Sequence, residues 1–218
     1  MDQRVVSLGG NCMVTKEMRL FYGVEAANMF DWWITPVDGL ILLIENDFDG
    51  LFERENLQMV GDRRSVANLR YGILHHHDFL RNDEEDRVVE MDEEQRQRNL
   101  QKFAHLKRRW DDLAHNQGPV LFVRWGWSMS EALLAGITPD PFCANPARLV
   151  ATLDRKFPQL DYQILLIDAP EVNHECKKVL YRDTHAFTGP GERLNVPNLL
   201  WEDNTRIFTR LFSSVDWR

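Results

Sequence analysis

Arg4-Val5-Val6-Ser7-Leu8-Gly9-Gly10-Asn11-Cys12 is the stretch from which the fold is read. Val5, Val6 and Leu8 predict a short buried strand, Gly9 and Gly10 a tight turn, and residues 13–22 a helix. This order puts a thiol at the carboxyl end of a strand and the amino end of a helix. The unpaired N–H groups and the dipole of a helix start favour the thiolate, which is the nucleophilic form. The same cysteine also suits a crowded turn as a small packing residue, because cysteine is among the most buried residue types.

Working outward, Met13, Glu17, Leu20 and Phe21 belong to the first helix, and Gly23 is its expected stop. Residues 28–36 read as an aromatic loop, 37–46 as a helix and 47–52 as a short helix or turn. Residues 69–80 alternate as one strand, with Leu69, Tyr71, Ile73, His75, His77 and Phe79 on one face and His76 and Asp78 on the other. A long helix is expected over 91–116, with Leu100, Phe103, Leu106, Trp110 and Leu113 as its apolar stripe. The acids at its start suit the dipole and read as a solvated face.

Residues 120–125 and 162–167 are continuous apolar runs, hence strands buried on both faces. Between them, Asn145-Pro146 opens a helix carrying Leu149, Val150, Leu153 and Phe157. Weaker strands are expected at 179–181 and 199–201, and a closing helix carries Ile207, Leu211 and Phe212. Strands separated by helices imply crossovers. The expectation is one α/β domain over 1–218 in three layers, with a central, largely parallel sheet flanked by helices. Strands 4–8, 120–125 and 162–168 should lie at its centre.

The chain has 218 residues, enough for a sizeable core. A net charge of −8 argues against nonspecific nucleic-acid binding. No apolar run is long enough to cross a bilayer, and the start does not read as a signal peptide. Cys12, Cys143 and Cys176 are widely spaced and odd in number, so they read as thiols of a reducing compartment, the cytoplasm, rather than a disulfide framework. No cofactor is indicated and no membrane partner. The sequence leaves oligomeric state open.

Beyond Cys12, Leu-His-His-His-Asp-Phe (74–79) supplies candidate bases. A cysteine nucleophile needs an imidazole within hydrogen-bond reach and an acceptor to orient it. The histidines could equally be structural, and His75 and His77 at i, i+2 could coordinate a metal. Phe-Asp-Trp-Trp (30–33) could line a pocket or pack the core. Arg124, leaving a buried strand beside Trp125, could clamp a carboxylate or phosphate, or pair with a structural acid. Arg19 stands seven residues after Cys12, one too many for a Cys-x5-Arg phosphatase loop. The third glycine of a dinucleotide fingerprint and a Gly-x-Ser-x-Gly elbow are both missing.

Ser-Leu-Gly-Gly-Asn-Cys (7–12), Phe-Asp-Trp (30–32), Thr-Pro-Val-Asp-Gly-Leu (35–40), Asn-Asp-Phe (46–48), His-Asp-Phe (77–79) and Leu-Phe-Val-Arg (121–124) occur together in order. With these the chain resembles domain-of-unknown-function family 1796, described as putative papain-like cysteine peptidases. The resemblance covers roughly residues 4–125 well. It implies Cys12 as nucleophile, His77 as base and Asp78 or Asp31 as its polar partner, with Asn11 placed as an oxyanion donor. In papain-like enzymes the nucleophile opens a helix and the histidine comes from an antiparallel sheet, whereas the crossover reading predicts a parallel one.

The leading expectation is a cysteine-dependent hydrolase or acyl/amide transferase acting on a peptide or small molecule. Cys12, Asp31 and His77 should cluster in one cleft, with Asn11 and Arg124 on its rim. The alternative is a noncatalytic, carbohydrate- or nucleotide-binding module with a pocket at the strand carboxyl ends. There Gly9, Gly10, Trp32, Arg124 and Trp125 would hold the ligand and Cys12 would pack. A metal-dependent enzyme built on His75 and His77 is third.

Overall fold

The computed structural model describes residues 4–10, 12–82, 84–126, 146–168, 177–192 and 201–217. Along the chain run β1 (Val5–Ser7), α1 (Cys12–Tyr22), β2 (Trp33–Ile34), α2 (Val37–Glu45), β3 (Leu57–Val60), β4 (Ser65–Asn68) and β5 (Ile73–His75). They are followed by α3 (Glu93–Asp111), β6 (Val120–Trp125), α4 (Pro146–Lys156), β7 (Tyr162–Ile167), β8 (Val179–Arg182) and α5 (Trp201–Ser213). The chain is a mixed α/β structure with two sheets rather than one.

The first sheet is parallel throughout, in the order β1-β6-β7-β8. Every residue of β6 is buried, and its side chains alternate between two cores. Val120 and Phe122 join Ile164 and Leu166 on one face. Leu121, Val123 and Trp125 join Leu165 and Ile167 on the other, where Met13, Val14 and Met18 of α1 meet Phe208, Leu211 and Phe212 of α5. β6 and β7 are central, as expected. β1 is not: it pairs only with β6 among the described residues, although Val5, Val6 and Ser7 are themselves buried.

The second sheet is antiparallel, in the order β2-β5-β4-β3, and corrects the reading of residues 69–80 as one strand. Gly72 has φ +63° inside a turn over 69–72, only 73–75 pair as a strand, and the chain bends through 76–79. Alternation therefore stops at His75. β3 and β4 form a hairpin around Gly61, Asp62 and Arg63, all at positive φ. At 199–201, Trp201 opens α5 instead of closing a strand, and Leu199 and Leu200 lie outside the described residues.

Asp92 caps α3 by accepting from the Gln95 N–H at 2.7 Å, worth about 1 kcal/mol. Glu93 and Glu94 in the first turn and Arg108 and Arg109 in the last complement the dipole. The buried face of α3 is Gln95, Asn99, Phe103, Leu106 and Trp110; Leu100, expected there, is 37% exposed. The helix ends at Asp111 and passes into a 3-10 turn over Asp112–His115. No helix among the described residues is long and apolar enough to cross a membrane.

Candidate functional site

Cys12 is the first residue of α1, directly beyond the β1 turn, and is half-buried. The turn is built by close approach. Gly9 has φ +76° and Gly10 φ +109°, and a Cβ on Gly10 would stand 2.1 Å from the Trp125 carbonyl oxygen. Trp125 N donates to Gly9 O at 3.2 Å, so the end of β6 holds the turn that presents the thiol. Asn11, Cys143 and Cys176 lie outside the described residues.

The pocket expected from Gly9, Gly10, Arg124 and Trp125 is filled by their own contacts. Arg124 is 1% exposed and donates to Leu8 O at 2.9 Å and to Thr35 O. It joins the end of β1 to the loop after β2, so it works as a structural link and not as a rim clamp. Trp125 is fully buried and donates from Nε1 to Asp168 at 2.7 Å. Asp168 also accepts from Thr184 N and Oγ1, tying together the chain beyond β7 and β8.

The carboxylates expected beside His77 are engaged elsewhere. Asp31 is fully buried and accepts from Arg19 at 2.6 Å and from Asn28 N at 2.8 Å. Burial raises its pKa, outweighing the Asn28 N–H and the Arg19 charge. Asp78 Oδ2 accepts from Trp33 Nε1 at 2.7 Å and lies 3.0 Å from His75 Nδ1, while Oδ1 accepts from Lys102 at 2.8 Å. Burial alone would raise the Asp78 pKa, but the bonds and charges of His75 and Lys102 prevail and hold it far below the usual carboxylate range. Asp78 thus orients His75 and not His77, the histidine that the resemblance implies as the base. The bend after β5 brings i and i+3 together where an unbroken strand would keep them apart.

His75 is fully buried among Trp33, Phe52 and Phe79, and its Nε2 has no hydrogen-bond partner. His77 is exposed. Its ring meets Trp32 edge-on at 5.7 Å and His76 at 4.7 Å, and Arg19 lies 5.6 Å over the other ring of that cluster, Trp32. Partial loss of water around the ring and the Arg81 charge lower the His77 pKa, which favours the neutral imidazole. The Asp31 group (Arg19, Asn28, Trp32, His77) and the Asp78 group (His75, Trp33, Lys102) meet through the neighbouring Trp32 and Trp33. Among the described residues no group of three or more His, Cys, Asp or Glu is arranged to hold a metal, which removes support for a centre at His75 and His77.

His76 provides a test by pH. Its Nδ1 lies 3.0 Å from Ser65 Oγ, and burial, Arg81 and His77 push its pKa from 6.5 down to about 4. Between those values the unfolded chain binds a proton that the folded chain refuses. The stability His76 allows is complete above pH 6.5 and is lost as pH falls toward 4, by up to about 3 kcal/mol. Urea unfolding of His76→Asn across this range should show an acid-side loss smaller by about 2–3 kcal/mol. An unchanged pH slope would refute the assignment.

Arg19 and Lys102 carry this site yet escape sequence reading, since an arginine or lysine on a helix has no signature beyond its charge. Trp33, by contrast, falls within the aromatic stretch 30–33 that reads as pocket or core. No match is found among curated proteins or among solved structures. Cys12 opens α1, and His75 ends β5 of an antiparallel sheet where the crossover reading predicts a parallel one. A family model matches residues 3–171, from before β1 to beyond β7, and the chain belongs to that family, domain-of-unknown-function family 1796, described as putative papain-like cysteine peptidase.

Proposed function

We propose that the protein is a thiol-dependent hydrolase or acyl/amide transferase with Cys12 as its nucleophile. The observation that carries this is the half-buried Cys12 thiol on the first residue of α1, where the helix N–H groups and dipole stabilise a thiolate. Membership of a family described as cysteine peptidases supports it. The Cys12 thiol gives its proton to the His77 imidazole, the thiolate attacks the carbonyl carbon of an amide or acyl substrate, and the displaced electron pair moves to the carbonyl oxygen. Asn11 and the Cys12 N–H are the proposed donors to that oxyanion. Collapse expels the amine, which takes a proton from an imidazolium, and leaves a thioester; water or an acceptor amine then releases the acyl group and regenerates the thiol.

His77 is the proposed base, because it is exposed and its neutral form is favoured, while His75 is closed off within its aromatic cage. The substrate is a peptide or a small acyl compound, handled in the reducing cytoplasm.

Brief iodoacetamide treatment of the native protein, followed by mass mapping, should modify Cys12 well ahead of Cys143 and Cys176. An electrophilic peptide-like thiol probe should lose all labelling in Cys12→Ala. In His77→Ala its rate should fall about a hundredfold, the lower end of what a general base contributes. Preferred labelling of another cysteine overturns the nucleophile; wild-type labelling of His77→Ala overturns the base.

A further inference from the structure

A cavity of about 230 Å³ opens between α3 and the 27–33 loop, and neither the thiol chemistry nor the family description accounts for it. Trp32, Trp33, Phe103 and Leu106 wall it with ring and methyl carbon, and the exposed Lys102 and His105 border it from α3. The nearby acids are turned away from solvent. The Asp78 side chain, which also lines the cavity, is 0% exposed with both oxygens engaged, and the Asp31 side chain is 0% exposed with Oδ2 held by Arg19 and Asn28 N. The charged groups that reach water around the cavity are the cationic members of two ion pairs: Lys102, 45% exposed and paired with Asp78, and Arg19, 24% exposed, paired with Asp31 and above Trp32.

Lys102 Nζ stands 5.1 Å from the Phe103 ring centroid, at the border of the apolar wall. An ammonium has three donors, and Asp78 takes one of them. We infer that this cavity binds a small apolar carboxylate, its carbon body between the tryptophans and Phe103 and its carboxylate on Lys102 Nζ. The volume falls below the roughly 300–1,000 Å³ of pockets for larger ligands, so the body is a single ring or a branched chain. A cationic ligand would meet Lys102 head-on. A neutral one would leave the remaining ammonium donors to water and lose the charge-assisted bond. The carboxylate can belong to a free acid or to the C-terminal apolar residue of a peptide.

Calorimetric titration of the full chain with 3-phenylpropanoate, 3-phenylpropanamide and 3-phenylpropylammonium keeps the body constant and changes only the head. The acid should bind about tenfold more tightly than the amide, and the ammonium most weakly. Lys102→Met, which keeps the stem, should remove the preference for the acid; Lys102→Arg should keep it, which guards against an effect of misfolding. Tighter binding of N-acetylglycyl-phenylalanine than of the free acid would assign the site to peptide C-termini, and the reverse to free acids. Absence of saturable binding of either acid by the wild type, or equal affinity for acid, amide and ammonium, overturns the inference. Cys12→Ala should bind the acid as the wild type does, so failure of the thiol proposal and failure of this one are separately visible.

Discussion

Asp78→Ala should destabilise the fold by about 3–5 kcal/mol, the usual consequence of removing one member of a buried charged cluster. Three donors lose one acceptor: Trp33 Nε1, His75 Nδ1 and Lys102 Nζ. Lys102 is half-exposed and regains water, but His75 and Trp33 stay buried in β5 and β2, which pair through these very residues. Unsatisfied buried donors cost about 1–3 kcal/mol each, so the larger share of the loss falls on those two. Asp78→Asn keeps the shape and one acceptor and should lose about half as much. Because the folded pKa of Asp78 is depressed, its contribution is present above about pH 4 and disappears as pH falls below that, so the acid limb of the Asp78→Ala stability curve should flatten. Urea unfolding reads both effects. A loss under about 1 kcal/mol would show that the two indole- and imidazole-bearing strands hold without their shared carboxylate.

Gly10→Ala is expected to be as damaging, by a different cause. At φ +109° the backbone lies where side chains are strained, and the added Cβ would fall 2.1 Å from the Trp125 carbonyl oxygen and 3.0 Å from its carbon. The obstacle is backbone at the end of a fully buried strand, so it has no rotamer in which to yield. Strain of about 1–3 kcal/mol plus displacement of β1 against β6 gives a loss of roughly 3–5 kcal/mol, or failure to accumulate as soluble protein. Gly23→Ala is the control. Its φ is +67° but nothing lies within 4 Å, so only the conformational cost of about 1–2 kcal/mol applies. Equal losses at the two glycines would show that the contact with Trp125 is unimportant.

The parallel sheet was legible because 120–125 and 162–167 are apolar on both faces, a pattern that only a doubly covered strand requires. The position of β1 was not, since three residues buried in any setting say nothing about how many neighbours pair with them. β3 and β4 went unread because Leu57-Gln58-Met59-Val60 and Ser65-Val66-Ala67-Asn68 are short and weakly patterned. Gly61-Asp62 between them was the available hairpin signal. At the site, Cys12 at the helix start could be read from local chemistry alone. The pairing of Asp78 with His75 could not, because it depends on a bend that interrupts strand alternation. Arg124 shows the opposite failure: a charge ending an apolar run invites a ligand, but the carbonyls of Leu8 and Thr35 already occupy it.

The pairing of β1 with β6 also sets the timing of folding during synthesis. Arg124 reaches Leu8 across 116 residues, and Val5 meets Leu121 over the same separation. At about 5–20 residues per second a ribosome takes roughly 6–23 s to make that stretch. Through that interval the nascent amino-terminal strand has no β-partner, and the helix start that presents the thiol lacks the Trp125 backbone on which its turn rests. The turn before Cys12 can therefore be completed only after residue 125 has emerged, a consequence of that one long-range pairing.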